Sequence, residues 1–261
     1  MFNGELMLEP TLRFHTVPLG KTDGVLGVAV MDRPKALNAL DHRMIRELLR
    51  IIEAVENDTA IKGLWIESSA EKAFCAGGDV RDVTNNGQAG GLSDLTKSAD
   101  YLADEYLLDV WLRRSTKPIF AWGDGYIMGG GMGVFQGADV RFVTEHSNLA
   151  MPEVRIGFVP DCGGSWFLNR VPNGLGICLA MSGTTIGAED GCWLNLADWL
   201  LPVLRKLKCS TQYLDWITRR KKLRCQTSGR SCIMQRQNPR RRDRGRKTGP
   251  AWEIVSGISR P

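Results

Sequence analysis

Long apolar runs are missing from this 261-residue chain: no segment approaches the roughly 18 uninterrupted apolar residues that a membrane span needs. A membrane is therefore not an expected partner. Metal-ligand spacing is missing as well. The seven cysteines form no C-x-x-C pair, and His15, His42 and His146 have no partner ligands near them in sequence, so no metal site is expected. Cys75, Cys162, Cys178 and Cys192 lie among apolar or small neighbours, which predicts free, buried thiols in a reducing compartment. The opening residues MFNGELMLEP carry neither a basic n-region nor an apolar h-region, and they are acidic rather than rich in Arg and Ser. That reads as no signal or transit peptide and a cytoplasmic protein, or one of the mitochondrial matrix if the source is eukaryotic. A nucleotide fingerprint is absent too: IMGGGMG at 127–133 is not a G-x-G-x-x-G after a strand with a ribose-binding acid.

Acidic residues are scarce in one region only. Residues 1–204 hold 17 Lys and Arg against 26 Asp and Glu, a net of −9, whereas residues 205–261 hold 17 against 3, a net of +14. The chain therefore divides into a domain over 1–204 and a basic tail over 205–261. The tail segments RRKKLRC and PRRRDRGRK lack a sustained apolar period, so 219–250 is expected to be solvated and disordered. One expectation is that the tail is an out-of-frame or aberrantly spliced end on a truncated product. The rival is a basic arm that binds phosphates through counterion release. It lacks the interleaved aromatics of a recognition module, so nucleic acid is not an expected partner.

What is present before residue 204 has the periodicity of an α/β fold. The run VLGVAVM (25–31) reads as a buried strand. Asp41 is placed to cap a helix on which Met44, Ile45, Leu48, Leu49, Ile52 and Val55 recur at helical spacing. IKGLWIE (61–67) is a second strand, so the strand–helix–strand crossover predicts a parallel sheet. A helix over 99–114, a strand in PIFAWGDG, a short helix after the glycine triplet 129–131 and a strand over 139–144 continue the alternation.

Three segments carry the chemistry: DRPKALNAL (32–40), KAFCAGGDV (72–80) and IMGGGMGVFQGADVRFVTEHSNLAMPEVRIGFVPDCGG (127–164). Glycine loops let backbone N–H groups approach a ligand, and one that opens a helix adds the positive end of the helix dipole. Residues 76–78 and 129–131 both meet that requirement for holding an oxyanion. Glu153 follows Leu149, Ala150, Met151 and Pro152, an apolar setting that raises a carboxyl pKa and suits a base or nucleophile.

In this order and spacing the segments resemble the crotonase (enoyl-CoA hydratase/isomerase) superfamily over roughly residues 12–200. The resemblance implies the ClpP/crotonase fold, a layered superhelix of repeated β-β-α units. It implies that the backbone amides of Gly78 and Gly130 are the oxyanion donors and that Glu153 is the catalytic glutamate. Hydratases of the superfamily carry a second glutamate in a G-G-G-x-E pattern, where this chain has Gly133. The combination of MPE, PD-x-GG, GGG-x-G and KAFCAGGD is similar to the 3-hydroxyisobutyryl-CoA hydrolases. In that family the glutamate attacks the thioester or activates water, and the aspartate matched by Asp161 positions the β-hydroxyl and assists proton transfer to the thiolate. Coenzyme A enters as part of the substrate, with no separate cofactor. The implied CoA-binding residues are Lys35, Ala36, Leu37, Lys72, Ala76, Gly77, Asp79 and Gly129, and a homo-oligomer is possible if the C-terminus permits it. The expected function is hydrolysis of a short-chain 3-hydroxyacyl-CoA thioester. The alternatives are an enoyl-CoA hydratase or isomerase and an inactive CoA-binding or interaction protein.

Overall fold

The computed structural model describes residues 11–19, 23–79 and 92–203, with the backbone alone for 92–95. The expectations for the tail from 205 onward lie outside these residues. Ten strands and six α-helices are found within them. The first strands are β1 (Leu12–Pro18), β2 (Val25–Met31), β3 (Ile61–Ser68) and β4 (Ala73–Cys75). Then come β5 (Ile119–Gly123), β6 (Tyr126–Met128), β7 (Val140–Val143), β8 (Asn148–Ala150), β9 (Ile186–Gly187) and β10 (Trp199–Leu200). The helices are α1 (His42–Asn57), α2 (Leu92–Arg114), α3 (Gly130–Gly137), α4 (Gly164–Leu168), α5 (Leu175–Ser182) and α6 (Ala188–Trp193).

The strands form two sheets, of order β1-β2-β3-β5-β7-β10 and β4-β6-β8-β9. The crossover expected from sequence is found: β2 and β3 pair in parallel around α1. Asp41 caps α1 as anticipated, accepting the Met44 N–H at 2.7 Å. Chain order then alternates sheets, with β3, β5 and β7 in the large one and β4, β6 and β8 in the small one, each pair followed by helix. That is the β-β-α superhelix. Among the described residues only β1 and β9 run antiparallel to their neighbours. β1 was not foreseen, because LRFHTVP is an edge strand whose side chains are mostly exposed and it lacks an apolar run.

A core of Met44, Ile45, Leu48, Leu64, Phe74, Leu108, Ile127 and Phe135 fills the space enclosed by the sheets and helices. The opposite face of the large sheet carries a second cluster, Trp65, Phe120, Trp122 and Phe142, with Trp65 5.5 Å from Phe142 and 6.0 Å from Trp122 between ring centroids. At the far edge, Arg141 makes a two-pronged pair with Asp198 at 2.8 and 2.9 Å, fixing β7 beside β10. Among the described residues no helix is long and apolar enough to cross a membrane.

Candidate active site

Each turn of the superhelix ends a small-sheet strand in a loop, and two of these loops are the glycine segments. After β4 the chain enters Ala76–Asp79; after β6 it enters Gly129, the residue before α3. Gly129 has φ +52 and ψ −124, a conformation essentially closed to residues with a Cβ. The loops abut: a Cβ on Gly129 would stand 3.6 Å from the Gly77 Cα. Leu40 donates to the Gly77 carbonyl at 2.8 Å and accepts from the Asp79 N–H at 2.8 Å, a bridge that leaves the Gly78 N–H out. Gly130 opens α3, so its N–H has no acceptor within the helix.

Glu153 sits at the start of a 3-10 turn (Glu153–Ile156) and is 7% exposed. Its Oε1 lies 3.0 Å from where a Cβ of Gly129 would be, and its Oε2 is buried without a hydrogen-bond partner. Burial, opposed by its own backbone N–H and aided by Asp161, pushes the carboxyl up to about 7. Asp161 Oδ2 accepts from the Tyr106 hydroxyl at 2.8 Å. The structure thus gathers Glu153, Asp161 and the two glycine loops into one place.

The CoA-binding candidates divide. Leu37 joins the loop after β4, since Ala76 donates to the Leu37 carbonyl at 3.1 Å, and Leu37, next to Ala36, takes φ +51. Asn38, fully buried, donates to Ser68 Oγ at 2.6 Å and to the Phe74 carbonyl at 3.3 Å, tying the two segments together. Lys35 and Lys72 are exposed. The Asp79 carboxylate is held by Arg33 at 2.9 Å, and Arg33 also pairs with Asp41 at 3.1 Å.

Sequence reasoning missed the acids on α2. Glu105 is 4% exposed and its Oε1 has no partner. That oxygen is 2.2 Å from a Cβ position on Gly130 and 3.7 Å from one on Gly78, so it touches both loops. Burial, then the nearby Asp161, lifts its carboxyl to about 7. Asp109, one turn on, is lifted to about 8 by burial, then by Glu105 and Asp161. The signal was present: Glu105 lies on the buried stripe of α2 with Tyr101, Leu108 and Leu112, where an acid is out of place. Cys162 is buried and its thiol is driven well above its ordinary range by burial and the surrounding acids. Glu105, Asp161 and Cys162 place one ligand-type atom each within 4.8 Å of one another. Cys75 is likewise buried, its thiol pushed up to about 12.

Ile156, Phe158, Val159 and Trp166 are exposed beside this site, Ile156 at 70%, and Tyr106, Leu107, Val110 and Trp111 are exposed along α2. Trp166 is flanked by Arg170 at 3.8 Å and Arg113 at 4.6 Å from its ring centroid.

Two sheets wound with helices, whose glycine loops meet beside a buried glutamate, define an α/β protein of the crotonase fold. The chain belongs to the enoyl-CoA hydratase/isomerase family, which residues 26–238 match. A relative named 3-hydroxyisobutyryl-CoA hydrolase, mitochondrial, from Gallus gallus is 41% identical over 167 residues, 64% of this chain and 42% of that protein. A small ribosomal subunit protein, mS47 of Neurospora crassa, is 41% identical over 168 residues, 64% of this chain and 33% of that protein. The crystal structure of an enoyl-CoA hydratase from Rhodobacter sphaeroides superposes with a TM-score of 0.72 at 30% identity, covering 78% of this chain and 58% of that one. The chain thus spans less than half the length of the curated relatives it matches.

Proposed function

We propose that this site hydrolyses a short-chain 3-hydroxyacyl-CoA thioester, with 3-hydroxyisobutyryl-CoA, an intermediate of valine catabolism, as the substrate. The carrying observation is the buried Glu153 carboxyl seated against Gly129, where that loop abuts Gly77. The thioester oxygen takes the N–H groups of Gly78 and Gly130, which stabilise it as negative charge develops there. Glu153, as carboxylate, attacks the carbonyl carbon or takes a proton from the water that attacks. The C–S bond breaks, water supplies the new acid's oxygen, and the thiolate leaves as protonated coenzyme A. Asp161, held by Tyr106, takes the substrate's β-hydroxyl and assists that proton transfer. A carboxyl near 7 changes charge close to neutral pH, which suits a general base.

In this reading Ala36, Leu37, Ala76, Gly77 and Gly129 line the passage for pantetheine, and the exposed Lys35 and Lys72 stand for the CoA phosphates. Asp79 serves by holding Arg33. No cofactor beyond the CoA of the substrate is called for. The catalytic domain ends near residue 204, where the charge reverses, although the family match reaches 238. The apolar side chains exposed around the site fit self-association or cover by further chain. A mitochondrial location follows the name of the Gallus gallus relative.

Hydration of an enoyl-CoA is the lesser reading, because Gly133 supplies no second glutamate and its space is taken: a Cβ there would stand 2.7 Å from the Cys162 Cβ. A non-enzymatic role in an assembly is favoured by one observation, the ribosomal relative. Thiol release from acyl-CoA pairs with and without a β-hydroxyl separates the three. Release that requires the β-hydroxyl supports the hydrolase, loss of enoyl absorbance without thiol supports the hydratase, and binding without turnover supports the assembly role.

A further inference from the structure

Asp109 is a buried acid that the chemistry above does not use. Its Oδ1 lies 2.8 Å from the point where a Cβ on Gly133 would be, and the Cβ and carbonyl oxygen of Cys162 lie 2.7 and 3.0 Å from the same point. Its Oδ2 is buried without a hydrogen-bond partner. An ionised carboxylate left so is strongly disfavoured, and the group escapes the penalty by staying protonated. Burial, then Glu105 and Asp161, accordingly push it up to about 8.

The space beside Gly133 is thus filled from across the site, by the α2 acid and by Cys162. Cys162 itself takes φ +44, a left-handed conformation that is unfavourable for a residue with a Cβ and needs contacts to hold it. It directly follows Asp161, so whatever seats Cys162 also sets where Asp161 points.

We propose that Asp109 is a positioning residue of the thioester reaction: its carboxyl occupies the place beside Gly133 and seats the Cys162 turn that presents Asp161. The inference rests on the hydrolase reading of Glu153 and Asp161. The titratable groups facing Asp109 are Glu105 on its own helix and Asp161 and Cys162 on the turn before α4. Helix α3 contributes only apolar residues, glycines and Gln136, and Arg113, one turn on along α2, stacks on Trp166 instead. Every titratable neighbour is an acid or a thiol, so ionising Asp109 adds charge beside Asp161 and disturbs the turn.

The test compares Asp109→Asn and Asp109→Ala with the unaltered full chain, following thiol release from 3-hydroxyisobutyryl-CoA between about pH 6 and 10. Activity of the unaltered chain should fall above about pH 8. Asp109→Asn should move that fall upward by about one pH unit or more, and Asp109→Ala should lose at least ~10-fold in kcat that the asparagine restores. An identical alkaline limb in Asp109→Asn, or full kcat in Asp109→Ala, overturns the inference. If the unaltered chain releases no thiol from any acyl-CoA, the hydrolase reading itself fails. Thermal midpoints then decide the protonation claim: the gain of Asp109→Asn over the unaltered chain should grow from about pH 5 to 8.5, and a constant difference refutes it.

Discussion

Replacing Glu153 by glutamine should make the protein less active and, above neutral pH, more stable. The carboxyl is raised from 4.5 to about 7 in the folded chain. A group whose folded value lies above its unfolded one favours the fold while protonated. That stability is complete below the unfolded pKa and is lost as pH rises through the folded one. At one pKa unit per ~1.4 kcal/mol, the loss by pH 8 is about 3–3.5 kcal/mol. Glu153→Gln keeps the shape and cannot ionise, so it escapes the loss. For a domain of this size the difference is on the order of 5–10 °C in thermal midpoint at pH 8, shrinking toward zero near pH 4. Parallel melts of the two proteins from pH 4 to 8.5 provide the assay. A Glu153→Gln variant that melts lower than the parent at pH 8, or by the same margin at every pH, would refute the account of a buried, strained carboxyl.

Further outcomes follow from single contacts. Tyr106→Phe removes the hydroxyl that donates to Asp161 and should lower kcat by about 10-fold for 3-hydroxyacyl-CoA, measured by thiol release, while the melting point barely moves because Tyr106 is part-exposed. Asp41→Ala removes the cap on α1 and should cost about 1 kcal/mol in denaturant unfolding with no change in kcat. Trp65→Ala, in the stacked aromatic cluster on the large sheet, should cost about 3–5 kcal/mol. Limited proteolysis of the full chain should cut first beyond residue 204, where the charge reverses, and mass spectrometry of the surviving fragment locates the cut.

The sequence disclosed most where one local rule dominates. The valine-rich apolar run of β2, the Asp41 cap and the apolar spacing of α1 each match the structure because neighbouring residues determine them. β1 escaped notice since its register is set by pairing with β2 rather than by its own pattern. The small sheet escaped because its strands are two or three residues long, too short for any period to register. The site divides along the same line. Glycine loops and Glu153 announce themselves by local motif, whereas Glu105 and Asp109 belong to the site only because α2 packs on α3, some 50 residues away from Glu153 along the chain. An acid on a buried helical stripe was the one local sign of them.

In the proposed hydrolase Glu153, seated against Gly129, cleaves a β-hydroxyacyl thioester. Thiol release from 3-hydroxyisobutyryl-CoA at pH 8 by the full chain and by Glu153→Gln tests it most directly. The expected result is one thiol per acid formed, with turnover in the variant lower by at least ~100-fold and substrate binding little changed. Equal turnover by the two proteins would contradict the claim.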